Sequence, residues 1–255
     1  MKTIESDLYL HRVALRRETV PSFDAYPFCL PVVRALEALE FTSPVTFLVG
    51  ENGSGKSTLL EAIAIAWGFN PEGGSKNFSF QTRAAHAHLY RNLRITRGLK
   101  RARDGFFLRA ESFFNVASEI ERLDEEPAGG PPITPSYGGV SLHAQSHGQS
   151  FLALLNNRFR GSGFYVLDEP EAALSPNRQL AALVRIHELV GKKSQFLIAT
   201  HSPIMMAYPN ATIFSIGEGR IESVPYETTE HFRVTRQFLN HPQRMLSELL
   251  RDNRA

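Results

Sequence analysis

Residues Gly50-Glu51-Asn52-Gly53-Ser54-Gly55-Lys56-Ser57 fit the pattern G-x-x-x-x-G-K-[ST] completely. They directly follow the apolar run Val45-Thr46-Phe47-Leu48-Val49 and directly precede a helix-forming stretch, the setting in which this pattern makes a phosphate-binding loop. Glycines at 50, 53 and 55 let the loop curl so that successive N–H groups point inward, and a helix starting near Lys56 adds its positive dipole end. Lys56 is expected to reach the β- and γ-phosphates of a nucleotide and the Ser57 hydroxyl to ligate Mg2+, with Glu51, Asn52, Ser54 and Thr58 completing the contact surface.

A loop that holds phosphates needs a metal-holding acid and a group that orients water before it can cut them. Phe164-Tyr165-Val166-Leu167 runs into Asp168-Glu169, which offers both: Asp168 to hold Mg2+ through water, Glu169 as candidate base. An Asp-Glu pair standing alone would read as a solvated strand end. A third apolar run, Gln195 to Ala199, leads into Thr200-His201-Ser202-Pro203, and His201 could hydrogen-bond a γ-phosphate or the attacking water.

These residues imply the elements that carry them. The three apolar runs read as buried parallel strands. Helical patterns cover Ser57 to Trp67, Phe151 to Arg158 and Asn177 to Val190, so strands alternate with helices, as in an open α/β sheet. Leu8 to Leu15 is expected to add edge strands, and Pro127 to Pro135 a surface loop. Ser112 to Leu123 and Leu142 to Arg158 would form a mostly helical insertion.

The chain has 255 residues, 42% hydrophobic and 21% charged, enough to bury the core of one domain. A single cysteine, Cys29, excludes an internal disulfide framework and Cys-based zinc clusters. No apolar stretch approaches the ~20 residues of a membrane span, and the N-terminus lacks a signal-peptide layout, so a soluble cytoplasmic protein is expected. A net charge of +2 implies no nucleic-acid partner by itself.

Together the motifs resemble the ATP-binding-cassette (ABC-type) ATPase superfamily, from Leu8 to about Ile221. Ser146-His147-Gly148-Gln149-Ser150 stands where that superfamily carries LSGGQ: Ser146, Gly148 and Gln149 match, His147 replaces the first glycine and Gln145 the leucine. The same stretch could be a plain helix cap, with Ser150 as the capping residue. The resemblance implies an α/β P-loop NTPase head with a mostly parallel central sheet, N-terminal antiparallel strands and a helical signature subdomain. Residues 1–255 would form one domain, with 112–158 as that insertion. It also implies an ATP-sandwiched head-to-tail homodimer in which Ser146, Gly148 and Gln149 of one copy close over the other's nucleotide.

Ser175 stands where the family's D-loop ends in aspartate. Glu111 occupies the place of the metal-contacting Q-loop glutamine, with Gln81 as the alternative, and Tyr26 or Phe28 could stack on adenine. Thr46 to Thr58, Phe107 to Phe113 and Ala199 to Ile204 look like small stand-alone AAA/ABC ATPases related to SMC-type and DNA-repair heads. The insertion is too short for a coiled-coil arm.

The function expected is ATP binding and hydrolysis by a soluble ATPase that drives or gates an effector protein. Alternatives are the ATP-binding subunit of a membrane transporter, or a slow ATP-dependent switch acting on nucleic acid. The last draws on the basic run Arg91, Arg94, Arg97, Lys100, Arg101, Arg103 and Arg109, for which the favoured reading is a solvated, internally paired surface or a dock for an acidic partner. His231 to Leu250 is expected to form an amphipathic helix packed on its own domain.

Overall fold

The computed structural model describes residues 7–74, 88–109, 117–118, 120–122, 124 and 134–250. Its centre is a sheet of β3 (Val45–Gly50), β5 (Asp104–Arg109), β6 (Gly163–Asp168), β7 (Gln195–Ala199), β8 (Thr212–Gly217) and β9 (Arg220–Ser223), in the order β5-β6-β7-β3-β8-β9. All neighbours run parallel except β8 and β9, which form an antiparallel hairpin. β6 and β7 are buried along their whole length, which is why they read as continuous apolar runs rather than alternating ones.

Alternate residues of these strands feed two cores. Phe164, Val166, Leu48 and Leu197 pack on the N-terminal strands and on α2 (Lys56–Trp67), which follows the short helix α1 (Pro31–Ala35). Tyr165, Leu167, Phe47 and Ile198 pack on the other face, against Phe151 of α3 (His147–Ala153) and Ala182, Ile186 and Leu189 of α4 (Pro176–Gly191). α3 continues as a π-helical turn over Leu154–Arg158.

A second, antiparallel sheet has the order β2-β1-β4, with β1 at Leu10–Leu15, β2 at Ala38–Glu40 and β4 at Leu93–Arg97. The two sheets are joined by the buried Gln195 side chain. Its Oε1 accepts from Tyr9 N at 2.8 Å and Leu10 N at 2.9 Å, and its amide donates to Leu10 O at 2.9 Å. Every polar group of a buried glutamine is thereby satisfied across the join.

The α/β class, the parallel strands and the antiparallel pairing of the N-terminal strands agree with expectation, but β1 is not an edge strand: it is paired on both sides, as the middle strand of the separate second sheet. The C-terminal segment does not pack as expected. It forms α6 (Glu230–Asn240) and α7 (Pro242–Leu249), following the short helix α5 (Pro203–Met206). No residue of α6 or α7 is buried, and Leu239, Leu249 and Leu250 are among the exposed large apolar side chains. The amphipathic pattern is real, but the domain's apolar faces are already covered by α2, α3 and α4. Among the described residues no helix is long and apolar enough to cross a membrane.

Candidate functional site

Strand register brings the motifs to one edge. Asp168 stands opposite Arg109 of β5 and Ala199 of β7, while Leu48 of β3 pairs with Ala199, so the ends of β3, β6 and β7 face the same space. Gly50 closes β3, and the loop that follows runs into α2. A Cβ on Gly50 would stand 2.1 Å from the Ile216 carbonyl oxygen and one on Gly55 2.5 Å from Val32 Cγ1, so both positions are glycine because the loop is wedged against its neighbours. Gly53 is open in space but adopts φ +79. α2 begins without a side-chain cap, which leaves its first-turn N–H groups available to an anion.

The Lys56 ammonium donates to Gly50 O and Glu51 O, each at 2.8 Å, and so spans the loop. Burial pushes its pKa below the ordinary lysine value, while the carboxylates of Glu169, Asp168 and Glu171 pull it back up. Ser57 Oγ donates to Asp168 Oδ1 at 3.0 Å, joining the loop to the acidic strand end. A hydroxyl and a carboxylate in contact form a hard-oxygen pair of the kind that suits Mg2+.

Glu169 follows Asp168 in the left-handed region, at φ 50 and ψ 52, a conformation that costs a non-glycine residue about 1 kcal/mol or more. It turns the chain sharply off β6, and its N–H donates to Ala199 O at 3.0 Å. Glu169 Oε1 then lies 3.5 Å from His201 Nε2. His201 is held at its backbone, where its N–H donates to Glu171 Oε1 at 2.5 Å. Burial lifts the Glu171 carboxyl above its ordinary range, opposed by the hydrogen bonds it accepts from His201 and Thr200. Ser202 caps α5 by accepting from Ile204 N and Met205 N, which anchors the segment from the other side.

Residues 27–117 match the AAA domain family. No curated protein matches the sequence. Among solved structures, cbiO1 from Clostridium perfringens, part of the ABC transporter complex cbiONQ, aligns at a TM-score of 0.50 and 17% identity over 95% of this chain and 98% of that one. The fold is that of an ATP-binding cassette. MJ1267, an ATP-binding cassette of an ABC transporter, likewise gives a TM-score of 0.50, at 18% identity over 84% of this chain and 90% of its own. The SMC head domain from Thermotoga maritima gives 0.37 at 18% identity, over 86% and 99% of the two chains.

Within this fold, the segment Ser146 to Ser150 opens α3. Ser146 is the N-cap, and Gln149 folds back so that its Oε1 accepts from Ser146 N at 3.0 Å and from the Ser146 hydroxyl at 2.9 Å. Ser146 and Gln149 therefore hold each other in a capping arrangement, and Ser150 is not the cap. Ser146, His147 and Gln149 are exposed. Gly148 is buried, where a Cβ would come within 2.5 Å of Ala173 O on the turn that follows Glu169. Ser175, exposed, occupies the N-cap position of α4 without a side-chain capping hydrogen bond.

Glu111 and Gln81 lie outside the described residues. Phe28 belongs to the core at 4% exposure and cannot stack on a base, whereas Tyr26 is 64% exposed.

The basic run divides on folding. Arg109 Nη1 donates to Glu61 Oε2 at 2.8 Å, and Arg109 Nε lies 4.0 Å from Asp168 Oδ2, so this residue stands at the strand edge beside Asp168 rather than on a surface stripe. Arg97 lies over the Trp67 ring at 4.5 Å and Lys100 pairs with Asp7. The sequence reading missed Arg109, Glu171 and His231 as site neighbours. Arg109 ends an apolar strand just as Asp168 does, and that parallel was available; His231 carried no signal, since it meets His201 only through the fold.

Proposed function

We propose that this chain binds ATP with Mg2+ and hydrolyses it to ADP and phosphate, as the domain of an ATP-sandwiched homodimer that drives or gates a partner protein. The reading takes residues 1–255 as one ATPase domain with 112–158 as its helical insertion. The observation that carries it is the Ser57–Asp168 contact at 3.0 Å, which unites the phosphate loop and the acidic strand end beside Glu169 and His201.

In this reading Gly50 to Thr58 cradle the phosphates through backbone N–H groups, and Lys56 compensates the β/γ charge. Ser57 and Asp168 would hold the metal, with Glu111 as a third proposed contact. Held by these residues, Mg2+ would supply positive charge that offsets the charge developing on the phosphates. The Glu169 carboxylate accepts a proton from water as its oxygen attacks the γ-phosphorus and the bond to the β-bridging oxygen breaks. His201 Nε2 donates a hydrogen bond to the transferred phosphoryl group. Ser146, Gly148 and Gln149 of a second copy complete the site from the far side.

Glu169→Gln tests the catalytic assignment, because it keeps size and hydrogen-bonding reach while removing the base. ATP hydrolysis should fall by about two to four orders of magnitude with ATP affinity retained. Normal turnover in this variant would refute the role of Glu169.

A further inference from the structure

His201 has a neighbour that the proposed chemistry does not use. Its Nδ1 lies 3.0 Å from Nε2 of His231, 30 residues later in the first turn of α6, with ring centroids 5.2 Å apart. The contact is built from both sides. Tyr226 OH donates to Pro203 O at 2.9 Å, two residues beyond His201, and the Tyr226 ring packs on Phe232 at 4.6 Å. Thr229 caps α6 and donates its hydroxyl to Tyr226 O at 2.7 Å. Every residue of α6 after Phe232 is exposed, so the turn that carries His231 is the one that docks.

Two imidazoles in contact share one hydrogen when both are neutral, and the surroundings keep them neutral. Burial lowers both pKa values; Lys56 lowers both further and His201 lowers that of His231, against Glu169 on the His201 side and Glu230 and Glu171 on the His231 side. The direction of the shared hydrogen then follows from geometry. Glu169 Oε1, 3.5 Å from His201 Nε2, favours a proton on that nitrogen and leaves Nδ1 as the acceptor.

We infer that His231 is a positioning residue for His201: its Nε2–H donates to His201 Nδ1 and fixes the tautomer that points Nε2–H at Glu169 and the γ-phosphate position. This rests on the ATPase reading for its consequence, but not for its detection. Because His231 opens α6, the same bond ties the nucleotide edge to the exposed C-terminal helices.

The test is 15N NMR of histidine-labelled full-length protein without nucleotide, comparing wild type with His231→Phe and His231→Gln, alongside steady-state ATP hydrolysis. Wild-type His201 should show a pyrrole-type Nε2 and a pyridine-type Nδ1. His231→Phe, similar in size but unable to donate, should average the two signals and lower kcat about tenfold, with KM for ATP within about twofold. His231→Gln, whose amide can donate, should restore both. Wild-type His201 protonated at Nδ1 overturns the inference even if the Phe variant does not fold. So does an unchanged His201 spectrum in the Phe variant, whatever its hydrolysis rate. A wild-type chain that hydrolyses no ATP counts against the ATPase reading alone, because the spectrum still judges the pair.

Discussion

Lys56 is buried at 4% exposure yet keeps its ammonium against two loop carbonyls, so its charge is paid for by geometry that suits a polyphosphate. Lys56→Ala should abolish tight ATP binding, since the loop N–H groups alone leave the β/γ charge poorly compensated. Equilibrium titration with labelled ATP measures this, and wild-type affinity in the variant would remove the phosphate-loop assignment. The histidine pair makes a prediction about pH. Both rings have pKa values lowered from the ordinary 6.5, chiefly by burial. Below that value the unfolded chain takes up protons that the folded one resists, so stability should fall as pH drops through the window beneath 6.5 and be unaffected by the pair above it. Glu171 works in the opposite sense, because its raised carboxyl pKa favours the folded state as pH falls towards its ordinary 4.5. Urea midpoints at several pH values, compared with those of His231→Gln, isolate the histidine part; identical pH profiles would show that His231 does not contribute.

The glycine-rich loop from Gly50 to Gly55 depends on what stands beside it as much as on its own residues. β8 presses on Gly50 through the Ile216 carbonyl, with which Gly50 is in register. Gly50→Ala must therefore move backbone, at a cost on the order of 1–3 kcal/mol, or several degrees of melting temperature for a domain of this size. Gly53→Ala meets only the penalty of its positive φ, about 1 kcal/mol, because nothing lies within 4 Å of the added carbon. Thermal unfolding of the two variants should rank them in that order, and equal losses would show that loop strain rather than the β8 contact sets the requirement. α6 and α7 contrast with this. They are helices by pattern and capping, with Thr229 at the first N-cap and Pro242 at the start of the second, and they expose Leu239, Leu246 and Leu249, which the pattern predicts to be buried.

At the scale of the folded domain, Ser146 and Gln149 are exposed at the start of α3 and are linked to each other rather than to the glycine-rich loop. If they serve a second copy, Glu169→Gln with ATP should double the scattering mass, because the uncut nucleotide stabilises the assembled state by mass action. Adding Ser146→Arg should hold the protein at monomer mass by placing bulk and charge in the closing surface. Light scattering with and without ATP decides the matter. A Glu169→Gln protein that binds ATP and stays monomeric would exclude the sandwich.

Local pattern was sufficient for much of this protein. A strand, a glycine-rich turn and a helix start are consecutive in sequence, so the strand–loop–helix around Gly50 to Ser57 was legible, and the fully apolar runs ending at Asp168 and Ala199 were legible as buried parallel strands because both faces of such a strand are covered. Only the tertiary structure decided which polar residues meet at the edge. Arg109 read as one member of a basic run until strand register set it opposite Asp168 and packing gave it Glu61 as a partner. His231 became a neighbour of His201 through the docking of one helical turn, and the remaining apolar side chains of that C-terminal pair stayed in solvent because α2, α3 and α4 already cover the sheet. Periodicity specifies that a helix has an apolar face; which surface covers it depends on contacts between segments far apart in the chain, and those no window of sequence contains.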